Sequence, residues 1–393
     1  MRFRFLPVLA LLCGVLTAAA EPASPAELLS VGRVDDALRA LHERVQAVPN
    51  DAQAYNLLTR TYFYMGRWDE AADAAQRAVA LEPSASDYQL WLGRAVGEKA
   101  AHASFVTAVR MVPRIRGAFE RAVQLDGSNA AARTDLAEFY MEAPAFLGGG
   151  RDKALAQAEK LASRDEAAAH WVKARLAEHS KQFDTAEREY RAAIAASPHP
   201  GGRWLDLASF YRSRERLDQM EEAVNKALAE DIWQSTVPYD AAMLLFYGGR
   251  NFTGAIELLQ KYLANGPQPE AAPAYQAHYL LGQILEKQGN RQAAAAEYRT
   301  ALSLAHEFEP ARTALQRVAP QRVPSNWHQV PSRGRQSADK PRNKPFPLRN
   351  KIVISVSCTL RQTSRNFVQN EEQPAPASIL SSSSIVPGKR LSG

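Results

Sequence analysis

Two cysteines in 393 residues cannot build a disulfide framework, and one of them, Cys13, lies in a leader-like N-terminal stretch. Only Cys358 is left for the rest of the chain, so an internal disulfide is excluded even in an oxidising compartment. Catalytic signatures are missing as well: there is no HExxH, CxxC, GxSxG or GxxxxGK[ST], and the eight histidines are scattered. His170 and His179 stand nine residues apart and do not share one helical face, which makes them a poor metal pair. No catalytic residue, metal or cofactor is therefore expected. Beyond the leader no apolar run approaches the length needed to span a bilayer.

Positive charge is also scarce where a folded domain would need it. The chain totals +6, but residues 320–393 hold 12 Lys and Arg against 3 Asp and Glu, a local +9, which leaves residues 1–319 at −3. A folded nucleic-acid-binding surface would concentrate cations on the domain itself, so that function class loses its support.

What is present begins with MRFRFLPVLALLCGVLTAAA. Arg2 and Arg4 form a basic head, Leu6 to Leu16 an apolar run, and Ala18, Ala19 and Ala20 a small-residue cleavage site. Residues 1–20 thus read as a secretory signal peptide, and the expected location is periplasmic or secreted. A second segment, 21–319, is alanine-rich and periodic. A third, 320–393, is rich in Pro, Ser, Arg, Asn and Gln, loses the helical period, and is expected to be a disordered basic tail. Within it, Lys351 to Cys358 is one β-prone run. The tail's charge suits weak, salt-sensitive contact with anionic envelope polymers or lipid headgroups.

The middle segment is built from one unit, clearest over Ala52 to Pro83. Tyr55, Leu58, Tyr62 and Met65 fall three or four residues apart and predict one face of a first helix; Gly66 ends it, and Ala71, Ala75 and Ala78 line a second. Small side chains on the second stripe let the axes approach closely, and Pro83 prevents continuation. Order and spacing resemble a tetratricopeptide repeat, whose length is about 34 residues. The unit recurs about eight times, from a short leading helix at Leu28 to Val31 through Leu281-Gly282 and Tyr298, with a closing helix near Pro310 to Val318. The expected fold is all-α: a right-handed α-solenoid of about eight tetratricopeptide-type helix pairs. The resemblance implies an extended superhelix whose open concave wall binds a peptide or a partner helix, hence a non-enzymatic interaction scaffold.

Two departures from the plain repeat are individual to this chain. About ten residues are inserted around Gly97 to Phe105, which lengthens the third repeat. Ala143-Pro144-Ala145-Phe146-Leu147 then leads into Gly148-Gly149-Gly150, a loop able to turn tightly or to present amides to an anion. Asp152 follows, where a carboxylate caps a second helix. Together with FERAVQLD these features resemble a group of exported bacterial tetratricopeptide proteins. The lengthened repeat is also distantly similar to the regulator of microtubule dynamics family, which implies a second reading, a carrier of a lipid or other hydrophobic ligand.

Aligning first helices on Thr59, Gly93 and Ala174 places Arg60, Arg94 and Arg175 at one equivalent inward position. Asn56 and Tyr64 lie one turn to either side of Arg60, and Trp91 and Trp171 occupy neighbouring inward positions. Arginine forks beside aromatic rings suit the carboxylates of a peptide, and the set is similar to the carboxylate clamp of chaperone-binding tetratricopeptide domains. Asp135, Glu138, Glu178, Asp206 and Asp240 sit at comparable inward positions further along. The alternative is that these charges pair with one another across neighbouring helices.

Overall fold

A computed structural model of the chain describes residues 23–230 and 235–319. The expected signal peptide, the basic tail and the run from Lys351 to Cys358 lie outside the described residues.

Every described element is helical, and the helices come in antiparallel pairs. They are α1 (Pro25–Ser30) with α2 (Val34–Ala47), α3 (Ala52–Tyr64) with α4 (Trp68–Leu81), α5 (Ser86–Ala101) with α6 (Phe105–Leu125), and α7 (Ala130–Glu142) with α8 (Arg151–Ala162). The series continues with α9 (Glu166–His179) and α10 (Phe183–Ala196), α11 (Gly201–Ser213) and α12 (Leu217–Ala229), α13 (Val237–Tyr247) and α14 (Phe252–Ala264), then α15 (Ala274–Lys287) and α16 (Arg291–Leu304). A single helix, α17 (Glu309–Val318), ends it. This is the all-α solenoid of eight helix pairs that the repeat predicts. None of these helices is long and apolar enough to cross a membrane.

Local chemistry starts the helices. Asp51, Asn129, Asp165 and Asn290 each accept a hydrogen bond from the backbone amide three residues on, at 2.8 to 3.1 Å. Asp152 does not act this way: α8 is preceded by Gly150 without a side-chain cap, and Asp152 sits inside the first turn, where it meets only the helix dipole. The recurrent glycine of the first helix has a steric cause. A Cβ on Gly93 would stand 2.5 Å from the Phe119 ring, and one on Gly282 would stand 2.5 Å from the Tyr298 ring, so each glycine admits an aromatic side chain from its own second helix.

The inserted residues lengthen both helices of the third pair, α5 to 16 residues and α6 to 21. The start of α6 leaves Phe105 and Val106 exposed. The triple-glycine loop is closed on itself. The amides of Gly148, Gly149 and Gly150 donate to the carbonyls of Ala145, Pro144 and Tyr140, so they are not presented to an anion. Gly149 is required there, because a Cβ would lie 1.7 Å from the Ala143 carbonyl oxygen.

One apolar cluster runs from Leu28 to Ala311, and a smaller one of Ala294, Ala295, Tyr298, Ala314 and Val318 seats α17. No single pair could bury such a core alone. The array does not stay open as expected of an extended superhelix. Its curvature brings α15 to α17 back against α1 to α4. The Gln268 amide donates to the Ser30 carbonyl at 3.0 Å, the His306 amide donates to the Asp35 carboxylate, and Gln276 Nε2 donates to the Tyr64 carbonyl at 2.6 Å. Arg60 pairs with Glu270 and Arg67 with Glu307 across the same seam.

Candidate functional site

The inward residues singled out from the sequence form two separate groups. In the first, α3 and α5 bring Arg60, Tyr64, Trp91 and Arg94 together. The Trp91 ring meets Tyr64 edge-on at 6.0 Å between centroids, with the Arg60 and Arg94 guanidinium carbons 5.4 and 4.8 Å from its centre. Asn56 is buried one turn earlier, and its Oδ1 accepts no hydrogen bond from the described residues. In the second group, α9 carries Trp171 and Arg175, both buried.

The arginines do not stand as three equivalent open forks. Arg94 Nε donates to Asp135 at 2.7 Å, and both side chains are under 10% exposed. Burial raises the Asp135 pKa against the opposing field of Arg94. Arg175 donates to Glu178 at 2.8 Å and lies 3.9 Å from Glu142. Burial alone would lower its pKa, but Tyr190, Glu178, Glu138 and Glu142 outweigh that and raise it. Arg203 donates to Asp206 at 3.0 Å. Burial raises the Asp206 pKa, opposed by Arg203, a Trp171 hydrogen bond and Arg175. The inward acids and inward arginines are therefore largely each other's partners, the alternative that the sequence left open. Arg60 differs: its side chain is 34% exposed, against 9% for Arg94 and 10% for Arg175, and its partner Glu270 comes from the opposite end of the array. Burial raises the Glu270 pKa and Arg60 opposes the shift.

The other marked side chains are structural. Tyr62, Tyr140 and Tyr211 are buried, while Trp68, Trp204 and Phe246 pack half-buried against the core. His170 Nδ1 sits 2.7 Å from Glu189, and His278 makes the same contact with Glu297, so these rings lock helix pairs. Among the described residues no group of three potential ligands could hold a metal ion.

The seam creates what the repeat pattern does not announce. Between the α3–α4 turn and α13, α15 and α17 lies a cavity of about 190 Å³ whose described lining is rich in aromatic side chains. It gathers residues from repeats two, seven and eight and the closing helix. Each of these residues fills an ordinary repeat position, and only the closure brings them face to face.

Two stretches match tetratricopeptide repeat family models, residues 28–94 and residues 239–307. No curated protein matches the chain. Among solved structures it is similar to yeast Tom70, with 17% identity, 80% of this chain and 66% of that one covered, and a TM-score of 0.47. It thus spans just under two thirds of that protein's crystallised length. It is also similar to a thermophilic TPR protein of Thermus thermophilus, with 21% identity, 47% of this chain and 94% of that one covered, and a TM-score of 0.40. A tetratricopeptide repeat protein from Parabacteroides merdae aligns at 17% identity over 68% of this chain and 98% of its own, with a TM-score of 0.36. The two matched stretches include most of the helices that meet at the seam, though not α17, and the chain thus carries tetratricopeptide repeats at both ends of its helical array.

Proposed function

We propose that the chain is a non-enzymatic interaction scaffold, exported to the bacterial envelope, that binds a protein or peptide along the inward face of its helical array. Tetratricopeptide repeats at both ends of the array support the interaction role. The leader-like residues 1–20 motivate the location.

The observation that carries the binding reading is the position of Arg60. Arg94 and Arg175 are themselves buried and pair with carboxylates of neighbouring helices or their own helix, whereas Arg60 is partly exposed, lies beside Trp91 and Tyr64, and is held by a carboxylate from the far end. A carboxylate of a bound peptide would replace Glu270 on the Arg60 fork, with Trp91 and Tyr64 giving apolar contact. Asn56, one turn away, adds an acceptor in need of a donor such as a peptide amide. A pull-down from envelope extract comparing the native chain with Arg60→Gln tests this. The expected result is loss of a specific partner in the variant, and identical partner sets would dismiss the Arg60 site.

A further inference from the structure

Two turns on one edge of the array carry side chains that the repeat does not need. The helices alternate in direction, so the turn inside the third pair and the loop inside the fourth emerge on the same edge. Phe146 in that loop is 78% exposed and Val106 at the start of α6 is 58% exposed, the two most exposed large apolar side chains among the described residues. Phe105 is exposed beside Val106. Single exposed apolar residues are ordinary, but bulky ones gathered on one edge mark a contact surface.

The fold holds both projections in place. The Tyr140 hydroxyl, near the end of α7, donates to Glu120 in the later half of α6, so the first turns of the 21-residue α6 stand beyond the end of the 13-residue α7. The Arg116 side chain fills the space that a Cβ on Gly148 would take, and the three glycine amides are bonded within the loop that bears Phe146.

Charge around these projections has one sign. Residues 99–119 contain Lys99, Arg110, Arg114 and Arg116 and no Asp or Glu, and residues 143–151 contain Arg151 and no acid. Lys99 pairs with Asp69 of α4, and Arg116 lies 3.8 Å from Glu120. The two arginines nearest the tip are not neutralised in this way. Arg110 is exposed one turn behind Val106 and has no ion-pair partner among the described residues, and Arg114, a turn further on, donates to the neutral side chain of Gln76. Val106, Arg110, Pro113 and Gly117 follow one another along the outward side of α6, opposite the buried Val112, Ile115 and Phe119.

An apolar tip backed by arginines matches the layering of an anionic bilayer surface. Phe and Val side chains enter the acyl boundary, while arginine stems lie along it and keep their guanidinium groups among lipid phosphates. A stable protein partner would instead need roughly 800 Å² of continuous fitted surface, which a helix tip and a separate loop do not supply. We propose that this edge docks the protein on an anionic membrane surface, with Phe105, Val106 and Phe146 inserted and Arg110 and Arg114 on lipid phosphates. The contact is peripheral, since none of the described helices is long and apolar enough to cross a membrane. It is independent of the inward-facing Arg60 site.

Environment-sensitive NBD labels on single cysteines test the proposal in the full chain with Cys13 and Cys358 replaced by serine. Val106→Cys and Phe146→Cys put the label on the edge, and Ser303→Cys, exposed on α16, is the reference. Vesicles of phosphatidylglycerol and phosphatidylcholine are expected to brighten and blue-shift the labels at 106 and 146 but not at 303, and vesicles of phosphatidylcholine alone are expected to shift none. Adding Arg110→Gln and Arg114→Gln is expected to raise the lipid concentration needed for half the response at 106 by roughly tenfold or more. Sedimentation with anionic vesicles while the labels at 106 and 146 stay unshifted would assign binding to the leader or to the basic residues 320–393 and overturn the proposal. Absence of vesicle binding overturns it too, as does a shift that appears without vesicles and grows with protein concentration, the mark of a second copy on this edge. A response unaltered by the arginine changes overturns the role of Arg110 and Arg114.

Discussion

Arg60 on α3 and Glu270 in the segment before α15 form an ion pair across 210 residues of sequence, and the pair ties the second repeat to the eighth. Both side chains are partly shielded, at 34% and 22% exposure, so the contact lies between an exposed ion pair and a fully buried one. Arg60→Ala is expected to lower stability by about 1–2 kcal/mol. Seam opening should accompany it, seen as a larger radius of gyration in small-angle scattering. An unchanged radius would mean that the remaining seam contacts hold the ends together.

Arg94 and Asp135 form the more deeply buried pair. Arg94→Ala leaves the buried Asp135 carboxyl without that partner, a change expected to cost roughly 3–5 kcal/mol, whereas Arg94→Met with Asp135→Leu is expected to recover most of the loss. Urea denaturation of the single and double variants measures both.

The pH dependence has two limbs of opposite sign. Burial gives Asp240 a folded pKa of about 7, above its unfolded value. Its stabilising contribution is therefore complete below about pH 4 and lost as pH rises through 7. Glu187 behaves in the other direction. Burial would raise its pKa, but hydrogen bonds from Tyr211, Arg216 and Arg191 outweigh this and lower it to about 2. Its contribution is present above about pH 4.5 and lost as pH falls toward 2. Thermal melts across pH 2 to 8 are expected to show the neutral limb flattened by Asp240→Asn and the acid limb flattened by Glu187→Gln.

Gly93 tests the helix approach. A Cβ there would meet the Phe119 ring at 2.5 Å, so Gly93→Ala is expected to cost about 1–3 kcal/mol despite its better helix propensity. Adding Phe119→Leu should relieve most of the loss, as judged by the denaturation midpoint.

Much of the fold is legible in the sequence because the repeat is a local code. The spacing of Tyr55, Leu58 and Tyr62, the alanine stripe of α4 and the glycine at Gly93 each specify contacts within one helix pair, and the described helices follow them. The inward position of Arg60, Arg94 and Arg175 is legible for the same reason, but their partners are not. Asp135 lies 41 residues from Arg94 and Glu270 lies 210 from Arg60, and no short-range period encodes such a pairing. The seam is hidden for a further reason. It depends on small rotations between successive pairs accumulated over the whole array, so Asp240, Tyr279 and Phe308 read individually as ordinary repeat positions and become a cavity wall only when the ends meet.

The central claim is that closure, and cross-linking tests it most directly. Asp35 and His306 touch across the seam, the first partly exposed and the second exposed. With Cys13 and Cys358 replaced by serine, the pair Asp35→Cys and His306→Cys is to be treated with a short bismaleimide and run on a denaturing gel. Near-complete intramolecular cross-linking, with faster migration at protein concentrations too low for intermolecular products, is the predicted result. Labelling of both thiols without a cross-link would contradict the closed array.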